Sequence, residues 1–219
     1  LYLAQIDSGE PLLLAGDHTP WPHIGNVTLA ERSYQHQSQA VPGQKPVTIG
    51  HGYSTLALVP EMQGSWALPL LHERIVDQKA VGRGAEQLAQ VCAKLTRRPV
   101  SVWDSEYGCA AFLQATAQVN ADKLIRLRTN LCLEGPTKPY CGHGPRPIHG
   151  IPFKFQDPAT WWTPDEIVEY DDPDFGPLRV QVWRGLRFAK ALDGPMIVAR
   201  VECLRQNGTR RRPRNPMKN

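Results

Sequence analysis

The sequence has no apolar run of the roughly 18 residues that a membrane-spanning helix needs. Its first residues also lack the basic stretch and apolar segment of a secretory signal. Both absences favour a cytoplasmic location. With 41% apolar residues among 219, the chain is long enough to bury a core.

Cysteine is scarce and lacks the close pairs that mark disulfide frameworks or zinc sites. The five cysteines lie at 92, 109, 132, 141 and 203, an odd number with wide spacing, which favours reduced thiols. A zinc set drawn from Cys132, Cys141, His143 and His149 is chemically conceivable. Structural zinc sites normally have tighter ligand pairing, so the spacing disfavours this set.

Acidic residues are absent from positions 205–219, which carry six basic side chains. Because the formal net charge of the whole chain is only +4, the preceding residues are slightly acidic. We therefore expect 205–219 to form a basic, disordered tail. Net charge by itself then says little about nucleic-acid binding by the folded part.

Two catalytic signatures are also missing. No serine stands in a G-x-S-x-G context, and the glycines around Arg83 lack the third glycine of a dinucleotide-binding loop. The first absence argues against a serine hydrolase, and the second favours an ordinary loop before a helix over a phosphate-cradling loop at these glycines.

The pattern that is present favours an α/β layer over residues 1–130. Apolar runs predict strands at 11–17, 100–103 and 123–128, and apolar residues at three- and four-residue spacing predict helices at 84–95 and 110–119. Residues 27–34, 45–58 and 65–71 predict two or three antiparallel strands. Strands alternating with helices indicate a largely parallel sheet.

The chain changes character after Asn130. Residues 133–176 are rich in proline, glycine and aromatic side chains, and 178–188 and 195–203 have the pattern of paired antiparallel strands. We interpret 131–204 as a β-rich insertion or subdomain.

Two aspartates follow apolar strands in similar settings. Asp17 ends the first predicted strand and Asp104 follows the strand at 100–103. Ligands of open α/β sheets bind outside the carboxyl ends of strands, and two carboxylates there suit Mg²⁺. Aspartate at a strand end also commonly caps a turn, and spacing alone leaves both interpretations open.

Basic and aromatic side chains are interleaved in the second half of the α/β region and in the insertion. Arg126, Arg128, Trp161, Trp162 and Arg184 are candidates for contacts with DNA phosphates and bases. Solvent-facing arginines on a half-buried strand explain the pattern equally well.

Several motifs, in order, resemble the DDE-type transposases of bacterial insertion sequences. They are GDHTPWP with the following TLAERSYQHQ, then IGHGYSTL, GSWALPLLHERI, WDSEYG and IRLRTNLCL. The resemblance covers residues 10–212. It implies a ribonuclease H-like catalytic domain interrupted by a β-strand insertion.

The resemblance also implies a site and a chemistry. Asp17 and Asp104 match the first and second catalytic acids, which with a third acid hold Mg²⁺ or Mn²⁺ for DNA cleavage and joining. The family places its third acid, usually a glutamate, on a helix after the insertion. Glu166, Glu169 and Glu202 lie inside the insertion and are not assigned, so we expect the third acid to be missing by truncation.

The implied partner is double-stranded DNA, at the ends of the element and at its target. A homodimer, when the protein is complete, and association with the nucleoid are expected on the same basis. A catalytically inactive, DNA-binding remnant of a transposase is the alternative.

Overall fold

The computed structural model describes residues 11–23, 25–36, 47–60, 66–76, 79–137, 139–145, 147–191 and 193–204. The predicted tail at 205–219 lies outside these residues. The chain divides into two compact units, Leu1–Arg128 and Thr129–Asn219, which we call unit 1 and unit 2. No helix in the described ranges is long and apolar enough to cross a membrane.

Unit 1 is built on a mixed sheet with two helices. Its described elements are β1 (Leu13–Pro22), β2 (Ser33–His36), β3 (Val47–Val59), β4 (Leu68–Ile75), α1 (Ala80–Cys92), β5 (Val100–Trp103), α2 (Ala110–Ala115) and β6 (Asp122–Ile125). The strand order is β2-β3-β1-β5-β6, and β4 also pairs with β3. β1 runs antiparallel to β3 and parallel to β5, which runs parallel to β6. The predicted α/β class is confirmed, and this arrangement is consistent with a ribonuclease H-like sheet.

The core of unit 1 lies between one face of the sheet and α1. Leu88 and Val91 of α1 are buried with Leu14 of β1 and Leu56 and Leu58 of β3. The apolar spacing along the helix predicted this face. The helix begins at Ala80, four residues before the predicted Gly84. Gly84 lies inside the helix where packing is close, since a Cβ on it would lie 2.6 Å from Tyr107 Cε1.

The first strand is longer than predicted. It was expected to end at Asp17 but continues to Pro22, because pairing with β3 extends from Leu13 to Pro22. The backbone N–H of His23 bonds to Ile49 of β3, so odd-numbered residues of β1 direct their N–H groups toward β3. Proline has no N–H group, and at Pro20 the N–H of another residue would point away from β3, toward the side of β5. The strand tolerates proline there because β5 pairs with β1 only as far as Gly16.

Unit 2 consists of antiparallel strands and one short helical turn. Its described elements are β7 (Cys132–Thr137), β8 (Gly150–Lys154), a 3₁₀ turn (Pro158–Thr160), β9 (Glu166–Asp172), β10 (Gly176–Leu186) and β11 (Met196–Cys203). The strands form a sheet in the order β11-β10-β9 and a separate β7-β8 pair. The predicted antiparallel pair at 178–188 and 195–203 is confirmed as β10 and β11.

Aromatic side chains form the core of unit 2. Phe153 is buried and lies within 5.0 to 5.6 Å of the rings of Trp161, Trp162 and Trp183, measured between centroids. Gly135 makes room for this cluster, since a Cβ there would lie 2.3 Å from the Trp162 ring.

Candidate active site

Asp17 and Asp104 occupy neighbouring positions on adjacent parallel strands. The ladder between β1 and β5 ends at the pair Gly16 and Trp103. Asp17 is the next residue of β1, and Asp104 is the first residue after β5. Because successive side chains of a strand point to opposite faces, Asp17 projects from the face opposite to that of Gly16. Both are exposed to solvent. The structure thus brings together the two acids that the sequence singled out.

Close packing beneath the two acids fixes their register. A Cβ on Gly16 would lie 2.0 Å from Cζ3 of Trp103, so only glycine lets the indole lie against β1. The Trp103 ring in turn packs against Tyr107 and Phe112, with centroids 4.6 and 4.7 Å away. Buried aromatic side chains therefore anchor the strand ends that carry the carboxylates.

The electrostatic environment of Asp17 favours proton or cation binding. Its pKa is raised, chiefly because surrounding protein removes part of its hydration, and further by the negative charges of Asp104 and Glu106. The backbone N–H of His18 opposes this shift. A divalent cation would offset the same repulsion between carboxylates.

Asp104 also shapes the turn that follows β5. Its Oδ1 accepts a hydrogen bond from the backbone N–H of Glu106 at 2.8 Å. The turn-capping interpretation of Asp104 is therefore correct, and it does not exclude a second role for the other carboxylate oxygen. The hydrogen bond from Glu106 N–H fixes the orientation of the Asp104 carboxylate.

A histidine–glutamate pair stands beside the two aspartates. His18 Nδ1 lies 3.1 Å from Glu106 Oε2, across 88 residues of chain. The hydrogen bond raises the pKa of His18 and lowers that of Glu106. Sequence reasoning missed Glu106. Its signal is its place two residues after Asp104 in WDSEYG.

The donor set fits one divalent cation held by two carboxylates. Mg²⁺ is commonly bound by one or two carboxylates, with substrate phosphate and water as the other ligands. Among the described residues, no group of three His, Cys, Asp or Glu side chains is arranged to hold a metal ion. The same observation covers Cys132, Cys141, His143 and His149, which do not assemble into a zinc site.

The remaining candidates differ in their surroundings. Arg126 and Arg128 are exposed after β6 of unit 1, close to the candidate site. The backbone N–H of Arg126 donates to the carbonyl oxygen of Trp103 at 3.0 Å, and the charge of Arg128 helps to lower the pKa of Glu106. In unit 2, Trp161 and Trp162 are partly buried in the aromatic core, and Arg184 forms a 2.8 Å ion pair with Glu166. Their proposed contacts with DNA stay predictions.

Comparison with known families decides the classification. The family model described as DDE superfamily endonuclease matches residues 1–184 of the chain. The chain belongs to the DDE superfamily endonucleases. No curated protein sequence matches it.

Membership of the DDE superfamily confirms the resemblance in the sequence motifs and indicates a nuclease or transposase type of function on DNA. Endonucleases of this superfamily generally use divalent metal ions. Two carboxylates at the ends of adjacent parallel strands suit that chemistry.

Proposed function

We propose that the chain is the catalytic region of an insertion-sequence transposase of bacterial type, and that it cleaves and joins DNA strands by Mg²⁺-dependent phosphoryl transfer. The observation that carries the proposal is the juxtaposition of Asp17 and Asp104 at the end of the β1–β5 ladder. Family membership supplies the reaction class.

In this mechanism Asp17 and Asp104 would hold the metal ion. When bound, a divalent ion would activate the attacking water or 3′-hydroxyl and stabilise charge on the phosphate oxygens. Burial and repulsion from Asp104 and Glu106 raise the pKa of Asp17, and a bound cation would offset that repulsion and favour the ionised carboxylate. Two hydrogen bonds keep the loop after β5 in place: the backbone N–H of Glu106 donates to the Asp104 carboxylate, and the His18 ring pairs with the accepting carboxylate of Glu106.

A second candidate function is DNA binding without turnover. It is favoured by one observation: within the described part of the chain, the two aspartates lack a third ligand in reach. Two carboxylates alone bind a cation more weakly than three and position a second ion poorly.

Cleavage of supercoiled plasmid DNA tests the proposal. We expect nicking that requires Mg²⁺ or Mn²⁺, and we expect Asp17→Asn and Asp104→Asn each to reduce it by more than about 100-fold. Even partners that only orient metal ligands contribute about 10- to 100-fold. Asp122→Asn is the matched control, because this exposed aspartate begins β6 and pairs with Arg98.

The outcomes separate the candidates. Nicking that survives Asp17→Asn contradicts the proposed site. If wild-type protein binds DNA without a metal ion and does not nick it, the result favours the second candidate function. Joining of a labelled DNA end to a target plasmid distinguishes a transposase from a simple nuclease, and sedimentation of the DNA complex tests the expected homodimer.

A further inference from the structure

A continuous row of ring side chains lies on the sheet of unit 1 near Asp17. We call the following five side chains the ring row: His51, His23, Trp21, Tyr53 and His72. Successive ring centroids along it are 5.5, 5.8, 5.9 and 5.1 Å apart, and the last two rings are stacked with an interplanar angle of 1°.

The ring row shares its sheet face with the candidate catalytic carboxylate. Alternate residues of a strand point to the same face, so Trp21 lies on the face of Asp17. Across the β1–β3 ladder, Asp17 pairs with Thr55 and Trp21 with His51. The next strand continues the pattern, because His72 pairs with Thr55 and lies 2.8 Å from its hydroxyl through Nδ1.

Packing of the core does not explain this row. The core of unit 1 uses the other face of the sheet, where Leu14 and Leu56 meet α1. Trp21 is 58% exposed, His72 is exposed, and the three remaining rings are half-buried. Five contiguous rings on a solvent-facing sheet surface expose ring atoms that a ligand can contact.

The chemistry of the row favours nucleobases over phosphates as its ligand. Its members are aromatic and imidazole rings. The arginine opposite Tyr53 on β4, Arg74, forms an ion pair with Glu31. Stacking on exposed aromatic side chains is the usual way in which proteins bind unpaired bases without reading their sequence.

We infer that the ring row binds unpaired bases of the DNA strand whose backbone passes Asp17. This inference rests on the proposed function, since it takes DNA as the substrate. Four residues of extended strand place Trp21 about 13 Å from Asp17, the length of about four stacked nucleotides. The row thus holds the strand within a few nucleotides of the site of cleavage.

Binding of short labelled oligothymidylate, measured by fluorescence anisotropy in EDTA, tests the inference. Trp21→Ala should weaken binding about 5- to 150-fold, the effect of losing one stacked base. Trp21→Phe should weaken it less, because a smaller ring remains. Trp66→Ala should leave affinity unchanged, since Trp66 is 49% exposed but lies outside the row.

An abasic oligonucleotide with the same sugar–phosphate backbone separates base stacking from charge attraction. Wild-type protein should bind it more weakly than oligothymidylate, and the difference in affinity between the two should be smaller for Trp21→Ala. Equal binding of both oligonucleotides by wild-type protein, or no loss with Trp21→Ala, overturns the inference. So does failure of wild-type protein to bind oligothymidylate.

Photocrosslinking of an iodouracil-containing oligonucleotide to wild-type protein tests the same surface without any substitution. Adducts on Trp21 or Tyr53 support the inference, and adducts confined to residues outside the row overturn it. Asp122→Asn, which lies outside the candidate site, should bind oligothymidylate as wild type does. If wild-type protein binds oligothymidylate but neither it nor any variant nicks DNA, the proposed function is wrong, whereas the inference that the ring row binds bases is retained.

Discussion

At the scale of single residues, Gly16 and Trp103 determine where the two aspartates stand. The indole of Trp103 occupies the space of a side chain at position 16, where a Cβ would lie 2.0 Å from the ring. Trp103 is 2% exposed and packs against Tyr107 and Phe112, so it has little room to move. A side chain at this position must displace the residue next to Asp104.

Gly16→Ala is therefore expected to destabilise unit 1. Forcing additional atoms into a packed core costs about 1–3 kcal/mol in free energy of unfolding. Urea unfolding followed by tryptophan fluorescence measures the loss. Gly194→Ala is the matched control, because a Cβ there would meet its nearest atom, the Ala191 carbonyl oxygen, at an ordinary 3.7 Å. Equal stability of the Gly16→Ala protein and wild type would contradict the packing argument.

The pair of His18 and Glu106 is expected to make stability depend on pH. The raised pKa of His18 adds stability that is complete below its ordinary value of 6.5 and is lost as pH rises through the folded value. The lowered pKa of Glu106 adds stability that is complete above 4.5 and is lost as pH falls through the folded value. The pair therefore stabilises most between pH 4.5 and 6.5.

Glu106→Gln tests this pair. The difference in free energy of unfolding between wild type and the variant should be largest in that window and shrink on both sides. Glu169→Gln is the control, because Glu169 pairs with Arg179 and its difference should persist at alkaline pH. A Glu106→Gln difference that also persists at alkaline pH would exclude His18 as the partner.

The sequence contained part of this site. Asp17 and Asp104 were recognisable because each follows an apolar strand, which is a local pattern. Glu106 was not, because its partner His18 is 88 residues away and only the β1–β5 pairing brings them together. The catalytic roles of the two aspartates stay predictions.

At the scale of elements, a buried polar network joins α1 to β3 and β4. Gln87 is fully buried on α1 and accepts a 2.7 Å hydrogen bond from the Ser54 hydroxyl. Its amide donates to the Ser54 carbonyl oxygen and to Glu73, each at 3.1 Å. Buried polar groups of this kind orient a helix only while all of them are paired.

Gln87→Leu should lower the free energy of unfolding by about 1–3 kcal/mol, the cost of leaving a buried polar partner unpaired. The double variant Ser54→Ala with Gln87→Leu should recover part of that loss, because it removes the stranded hydroxyl. Chemical unfolding of both variants provides the comparison. If the double variant is no more stable than Gln87→Leu, the unpaired serine hydroxyl is not the cause of the lost stability.

The aromatic core of unit 2 leads to a similar prediction about the free energy of unfolding. Phe153→Ala removes a buried ring that contacts three tryptophans and should cost about 3–5 kcal/mol. Near-ultraviolet circular dichroism and urea unfolding would report the loss. Phe175→Ala is the control, since Phe175 is 51% exposed. Equal effects of the two substitutions would contradict the assignment of Phe153 to the core.

Local patterns predicted the elements better than their ends. Strand β5 has the predicted bounds of 100–103, because a short apolar run between a proline and an aspartate defines both ends. β1 continues beyond its predicted end because β3, which is distant in sequence, supplies the pairing. The ring row could not be predicted from local patterns for the same reason, since it depends on the register of β1, β3 and β4.

At the scale of the whole molecule, the α/β class and the family agree. The mixed sheet of unit 1 and both aspartates lie within residues 1–184, which match the DDE superfamily endonucleases. The amino-acid composition of the sequence changes after Asn130, and the chain boundary between the two compact units falls between Arg128 and Thr129. Both aspartates that we propose as metal ligands lie in unit 1.

Electron paramagnetic resonance of Mn²⁺ tests this central claim most directly, because it counts bound ions without requiring turnover. We expect wild-type protein to bind one Mn²⁺ and to release it to competing Mg²⁺, whereas Asp17→Asn and Asp104→Asn should each abolish the bound signal. Asp122→Asn should bind as wild type does. Equal Mn²⁺ binding by wild type and both site variants would contradict the assignment of Asp17 and Asp104 as the metal-holding pair.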